Sequence, residues 1–331
     1  MIKIDGSYGE GGGQILRTSV SLSAVAGEEV TIKNIRKNRP HPGLKPQHMR
    51  SIETAALICE AEVEGLYPGS TEIRFSPLEI RGTDATIDIG TAGSIPLLIQ
   101  CIMPLASVSS GSIKLSIMGG TDVAWSPSVD YLENVTLGAL SHMGYRAKLE
   151  TIARGYYPKG GGIVELTIEP ASLTGYDFLR RDEHIYGISH ASNLPEHVAK
   201  RQAGSAEEIL REKGFDCKIL VDSSKYLSTG SGINLWSGFI GSVALGERGL
   251  PAEKVGSRAA EEIAASLLSG AAVDSHLADQ LIPFMGIAGS GSFTTTELTG
   301  HLRTNIWVTE QFLDVKFDLK EADGLASVCI R

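Results

Sequence analysis

Two stretches of this 331-residue chain open alike, and their likeness constrains the fold more than any other feature. IDGSYGEGGGQILR begins at Ile4, and IDIGTAGSIPLLIQ begins at Ile87. Each has strand-forming residues ending at an Asp, a Gly-containing turn, then an apolar run at helical spacing. The likeness continues beyond these openings. In the first stretch Ile2–Asp5 reads as a strand and Gln14–Ala26 as a helix closed by Gly27. Val30–Arg36 has strand composition, Pro46–Glu62 has helical periodicity with Pro46 in its first turn, and Thr71–Ser76 alternates like a half-buried strand. In the second, Ala85–Ile89 and Ser112–Met118 read as strands around a helix Ser94–Ser107. A helix Ser128–Met143 and paired strands Arg146–Ile152 and Gly162–Ile168 complete it. The unit is β-α-β-α-β-β with a period of about 80 residues. Such units stack, because one alone cannot cover its apolar face, and the expected class is α/β (α+β) with helices covering sheets.

The pattern changes near Arg181. HIYGISHAS reads as a strand, Pro195–Lys213 as a charged amphipathic helix, CKILVDSS as a strand, and INLWSGFIGSVAL follows a Ser/Gly-rich turn. Residues 181–273 are therefore expected to be a smaller inserted α/β domain, with residues 1–180 and 274–331 as the core. The helix Glu261–Leu268 is expected to return the chain to that core. Leu277–Ala288, Phe293–Leu298, Leu302–Leu313, Val315–Leu319 and Ala326–Ile330 then supply a third unit.

Hydrophobic residues at 42% and charged residues at 21% exclude a disordered chain. No apolar run approaches the ~20 residues that span a bilayer, and MIKIDGSYGEGGG lacks the features of a secretory leader. Cys59, Cys101, Cys217 and Cys329 form no CxxC pair. A cytoplasmic protein in a reducing compartment, without a structural metal, is expected. The net charge of −9 argues against bulk coating of nucleic acid. Yet no acidic residue lies between Glu29 and Glu53, where Lys33, Arg36, Lys37, Arg39, Lys45 and Arg50 all fall. That segment attracts phosphates.

Four segments offer chemistry. Gly6–Arg17 puts glycines between a strand and a helix, which exposes backbone N–H groups beside a helix start that favours an anion. It is neither a Walker A loop nor a dinucleotide fingerprint. Glu10 in that loop repels phosphate unless a divalent cation lies between them; otherwise it is a solvent-exposed turn residue. Ile35–His48 carries arginines, whose planar forks suit phosphate, in a loop stiffened by Pro40, Pro42 and Pro46. Asp274–Gln280 opens a helix with Asp274 or Ser275 as cap, but capping alone does not need His276, Asp279 and Gln280. Thr299–Asn305 places His301 at a helix start, where the dipole disfavours imidazolium and keeps the ring neutral, as a nucleophile requires. A satisfied structural histidine is the plainer reading of that residue taken by itself.

Taken in order, these segments resemble the RNA 3'-terminal phosphate cyclase family. GSYGEGGGQILR, IRKNRPHPGL, GGTDVAWSPSVDYL, RGYYPKGGG, SHLADQLIPFM and TGHLRTNIWVTEQFL carry the resemblance across nearly the whole chain. It implies three β-α-β-α-β-β units like the C-terminal domain of translation initiation factor 3, plus a smaller inserted domain. It implies ATP as cosubstrate, a divalent metal (Mg or Mn) at Glu10, and His301 as the nucleophile that takes AMP. Arg17, Arg36, Arg39 and Gln47 match the residues lining the phosphate and active-site surface. Gln100, Pro127, His276, Leu277, Ala278, Asp279 and Gln280 match positions around adenosine. The residue before Leu277 is often aromatic in relatives; His276 stands there and can stack on adenine. His301 and His276 thus compete for the nucleophile's role, and the surrounding motif favours His301. The implied substrate is RNA with a 3'-phosphate rather than DNA, which lacks the 2'-hydroxyl. Two other readings stand beside it: a cyclase-like ribosome-assembly factor that shares the fold without the activity, and an enolpyruvyl-transferase-like enzyme, from a fold built of similar repeats.

Overall fold

The computed structural model describes residues 1–179 and 184–330. The boundary expected at residues 180/181 lies outside the described residues.

The first unit runs β1 (Ile2–Asp5), α1 (Gly13–Ala26), β2 (Val30–Lys33), α2 (Pro46–Ile58), β3 (Glu62–Glu64) and β4 (Ile73–Ser76). Its sheet has the order β1-β2-β4-β3, with β1 and β2 parallel and the remaining pairs antiparallel. The second runs β5 (Thr83–Asp88), α3 (Ile95–Ala106) and β6 (Ile113–Gly119). A helical stretch follows, made of α4 (Val129–Tyr131), a π-helical segment (Leu132–Leu137) and α5 (Gly138–His142). The strands β7 (Arg146–Ala153) and β8 (Gly162–Glu169) end the unit. Its sheet, β5-β6-β8-β7, repeats the order and strand sense of the first.

Backbone conformation sets several boundaries that composition misses. β2 stops at Lys33, short of Arg36, because Asn34 and Arg36 adopt φ of 56° and 55°, left-handed values that end a ladder. α2 stops at Ile58, short of the expected Glu62, because Glu60 takes φ 49°, and Glu62 instead opens β3.

β9 (Ile185–Ser192), α6 (His197–Glu212), β10 (Cys217–Ser224), β11 (Gly230–Ser237), β12 (Ile240–Leu245) and α7 (Ala252–Leu268) follow. They form a sheet β10-β9-β11-β12 with a hydrophobic cluster of its own. α7 starts earlier than expected and does not return the chain to the first core. Val255, Ala259, Ala260, Ile263, Ala264 and Leu267 on its buried face belong to this second cluster, against α6. The return comes later, where Val273 and Leu277 join the main core.

α8 (Ser275–Ala288), β13 (Ser292–Thr295), α9 (Gly300–Phe312), β14 (Phe317–Ala322) and β15 (Leu325–Ile330) close the chain. Their sheet is β13-β15-β14. Asp177 forms a parallel bridge to Ser292, and the Phe178 N–H donates to the Ser292 carbonyl at 2.7 Å. The chain just before β9 thus occupies the edge that β1 and β5 hold in the other two sheets. α1, α2, α3, α8 and α9 pack on one another in the main core, which brings the starts of α1 and α9 together. Among the described residues no helix is long and apolar enough to cross a membrane.

Candidate functional site

The Gly-rich loop between β1 and α1 lies along the first turns of α9. A Cβ on Gly300 would fall 2.6 Å from Glu10 Oε1, and one on Gly9 would fall 2.5 Å from Thr304 Oγ1. Gly9 and Gly11 have φ of 57° and 58°, so the loop needs residues without side chains to make these turns beside the helix. Glu10 is thereby held at the start of α9, with Oε2 3.4 Å from His301 Nε2 and 3.7 Å from an Arg39 guanidinium nitrogen.

Two helix starts meet here. α1 begins after Gly12 with no side-chain cap and no acidic residue in its first turn, so its leading N–H groups are left for a ligand. α9 is capped by Thr299, whose hydroxyl accepts from the Leu302 N–H at 3.0 Å. A Cβ on Gly12 would lie 3.2 Å from Arg39, and one on Gly13 would lie 2.5 Å from His48 Nε2 and 3.0 Å from Arg17. Arginines therefore flank the α1 start, an arrangement suited to an anion with several charges.

The first two turns of α1 are tied to α9, and α9 to α8. Gln14 Nε2 donates to the His301 carbonyl at 3.4 Å, and the Thr18 hydroxyl donates to Asn305 Oδ1 at 2.8 Å. Asn305 in turn donates to the Asp279 carbonyl at 2.7 Å. These bonds fix the α9 backbone that carries His301. Burial holds the His301 imidazole below its ordinary pKa; Arg17, Arg39 and His276 add to this, and Glu10 opposes it. The ring is thus favoured in the neutral form that can attack an electrophile. Burial pushes the Asp279 carboxyl up to about 8 against the pull of Arg17, and it lowers the Arg17 guanidinium as well.

Other expected site residues are placed differently. Arg36 donates to the carbonyls of His41 and Gly43 at 2.8 and 3.1 Å, so one end of its fork organises the proline-rich loop. Gln47 sits at the start of α2, its Cβ 3.4 Å from where a Cβ on Gly93 would lie. Arg17 and Gln100 hold equivalent positions in the two opening repeats, and Gln100 Nε2 is buried without a hydrogen-bond partner. Gln280 Oε1 accepts from the Thr136 hydroxyl at 2.7 Å. Leu277 and Ala278 are fully buried in the main core, and their N–H groups are bonded to Asp274. Of residues 276–280 His276 alone has an exposed side chain. Pro127 lies half-buried in the loop after β6.

Sequence reasoning passes over His48. Its Nδ1 accepts the Lys45 N–H at 3.2 Å, which leaves the proton on Nε2, facing Gly13 and Arg17. Burial pushes its pKa down to about 3, helped by Arg17, Arg36 and Lys45. Its place next to Gln47 is the available signal. Sequence reasoning also misses a buried ionic cluster, although its members lie in or beside recognisable motifs. Arg154 is 2.7 Å from Asp130 and 3.3 Å from Asp122, and Asp122 is 3.3 Å from His190 Nε2. Asn234 donates to Asp130 at 2.8 Å, and the Tyr156 hydroxyl is 2.7 Å from His190 Nδ1. Asp122, Asp130 and His190 lie close enough together to bind a metal. The Arg154 guanidinium already supplies the cation between the two carboxylates.

A family model described as RNA 3'-terminal phosphate cyclase matches residues 8–319. The RNA 3'-terminal phosphate cyclase of Methanosarcina mazei is 56% identical, with all of both chains covered. That of Archaeoglobus fulgidus is 54% identical over 96% of this chain and 98% of its own. That of Pyrococcus abyssi is 49% identical over 96% of this chain and 95% of its own. The chain belongs to the RNA 3'-terminal phosphate cyclase family.

Proposed function

We propose that this protein is an ATP-dependent RNA 3'-terminal phosphate cyclase that works through an adenylated His301. The observation that carries the reading is the meeting of a neutral-favouring His301, Glu10, Arg17 and Arg39 at two helix starts. A nucleophile, an anion-binding cradle and one carboxylate are what adenylyl transfer needs.

In the first step a ring nitrogen of His301 attacks the α-phosphorus of ATP. A P–N bond forms, the bond to the β-phosphate oxygen breaks, pyrophosphate leaves and the imidazole sheds its proton. In the second, an oxygen of the RNA 3'-phosphate attacks the same phosphorus. The P–N bond breaks, the ring takes back the proton it shed, His301 is restored and an RNA(3')pp(5')A end results. In the third, the neighbouring 2'-hydroxyl attacks the 3'-phosphorus, loses its proton and expels AMP. A 2',3'-cyclic phosphate remains. That hydroxyl is already beside its target, so proximity supplies much of the rate. DNA has no such group and is not expected as the main substrate.

Glu10 is the acidic residue of the cradle, and a single carboxylate together with substrate phosphates is a common way to hold Mg or Mn. When bound there, the ion neutralises phosphate charge. Arg17 and Arg39 bind and orient the phosphates, with Gln47 and part of Arg36 at the same rim. Gln14 and Asn305 hold the backbone beneath His301. Gln100, Pro127, His276, Asp279 and Gln280 are assigned to the adenosine side, with Leu277 and Ala278 forming its floor from within the core. Residues 181–273 are assigned to an inserted domain, and the cytoplasm is the proposed compartment.

The test is an RNA oligonucleotide ending in a 3'-phosphate, incubated with ATP and magnesium. Conversion to an end that resists phosphatase is expected, with AMP and pyrophosphate released. An oligonucleotide with a terminal 2'-deoxy sugar should remain unconverted. Failure to cyclise, with tight retention of the unchanged RNA, would favour the non-catalytic assembly-factor reading. Turnover of shikimate 3-phosphate with phosphoenolpyruvate would favour the transferase reading.

A further inference from the structure

Apart from Pro127, GGTDVAWSPSVDYL and RGYYPKGGG have no part in the chemistry proposed for His301, yet their tips carry the most exposed aromatic rings among the described residues. Trp125 is 100% exposed and Tyr157 is 76% exposed. Leu227, 67% exposed, lies against Gly161, where a Cβ would fall 2.4 Å from its Cδ2. Trp125 also adopts φ 66°, a left-handed conformation that a bulky side chain takes only when its surroundings impose it. An indole fully in water on a strained backbone does nothing for folding.

The bases of both loops are bonded to each other. The Thr121 and Asp122 N–H groups donate to the Gly155 carbonyl at 2.8 and 3.2 Å. Asp122 and Arg154, the residue before Gly155, are joined in the buried cluster with Asp130 and His190. The two loops are therefore tied to each other at their bases, where Asp122 also bridges in parallel to Tyr156, the residue before Tyr157.

Both loops border the proposed active site. The Gly120 N–H donates to the Gly93 carbonyl at 2.8 Å, and a Cβ on Gly160 would lie 3.0 Å from the Ala92 Cα. Gly93 in turn faces Gln47, whose neighbour His48 lies against Gly13 and Arg17. Contacts thus lead from the cradle through Gly93 to the bases of the loops that carry Trp125 and Tyr157. Lys159, exposed in the same loop as Tyr157, adds a cation.

We propose that Trp125 and Tyr157 form a stacking platform for the last unpaired nucleotides of the RNA 3'-end. The platform rests on the cyclase function and names where the strand leaves the cradle. Flat aromatic faces take any base, so a platform of this kind binds single strands without reading sequence. It suits an enzyme whose chemistry recognises only the terminal phosphate and its 2'-hydroxyl.

Binding of a 5'-fluorescein-labelled, single-stranded RNA 3'-phosphate is measured by anisotropy without ATP, for the wild type, Trp125→Ala, Tyr157→Ala and Trp125→Phe. Each alanine should weaken binding about tenfold, the size of one lost base–aromatic stack, and phenylalanine should restore most of it. The same variants should raise KM for the RNA in cyclisation. Covalent AMP incorporation with ATP alone should stay at the wild-type rate. Unchanged RNA affinity in both alanine variants would overturn the platform, as would a parallel fall in AMP incorporation, which would place these rings on the nucleotide or in the loop's own structure. Because the anisotropy needs no turnover, a wild type that binds RNA through these residues but never takes up AMP would reject the cyclase reading and leave the platform standing.

Discussion

Glu10 Oε2 lies 3.4 Å from Nε2 of His301, and the same carboxylate lies 3.7 Å from Arg39. The carboxylate raises the His301 pKa, while burial, Arg17, Arg39 and His276 lower it. The balance falls below the ordinary value of about 6.5, so the imidazole is mainly neutral at pH 7. Adenylylation should therefore be flat around neutral pH and fall on the acid side, as the ring protonates. In Glu10→Gln the raising influence is gone. The His301 titration, followed by NMR without nucleotide, should move to lower pH. Movement upward would mean that Glu10 does not act on the ring.

Gly300→Ala tests the same contact through shape. The added methyl would stand 2.6 Å from Glu10 Oε1 and push the carboxylate aside. Alanine is the better helix former by up to about 1 kcal/mol, so thermal stability should hold or rise. The adenylylation rate should fall nonetheless, by on the order of tenfold, as expected for a misplaced catalytic group. Equal losses of stability and rate would point to general damage.

His48 gives a stability effect with a definite sign. Its pKa is pushed down to about 3 in the fold, against about 6.5 in an unfolded chain. Between those values the unfolded chain binds the proton and the fold does not, so stability rises with pH. The contribution is complete above about pH 6.5 and is lost as pH falls toward 3. Urea unfolding at pH 7 and pH 5 should differ by on the order of 2 kcal/mol from this residue, and His48→Gln should remove most of that difference.

Arg154→Ala leaves Asp122 and Asp130 buried without their cation. A loss of about 3–5 kcal/mol is expected on breaking a buried pair from one side, measured by denaturant unfolding. A loss under about 1 kcal/mol would mean that water reaches the cluster.

Much of the fold is legible because it is periodic. The apolar spacing of Gln14–Ala26 and Ser94–Ser107, together with the glycines that precede them, sets the opening of both units. Less legible is whatever single-residue backbone choices decide. Nothing in composition says that Glu60 turns left-handed, ends α2 four residues early and leaves Glu62 to open β3. The membership of α7 is equally hidden. Its small residues Ala259, Ala260 and Ala264 suit close packing against any partner, and only the three-dimensional arrangement selects α6.

The site divides along the same line. His301, Glu10, Arg17 and Arg39 meet because each sits at a helix start or in a Gly-rich or Pro-rich loop, features that sequence displays. The ionic cluster joins Asp122, Arg154 and His190 from distant segments, and no local pattern announces such a meeting. Leu277 and Ala278 show the converse. Their motif is plain, but helical phase turns both side chains into the core.

The most direct test of the central claim is covalent labelling with ATP carrying radioactive phosphorus at the α position. The wild type should take up label without RNA, and the bond should be broken by acid and resist alkali, as a P–N bond does. His301→Ala should take up none, while His276→Ala should still be labelled, though at a higher ATP concentration. Undiminished labelling of His301→Ala, or loss of label from His276→Ala alone, would contradict the assignment of the nucleophile.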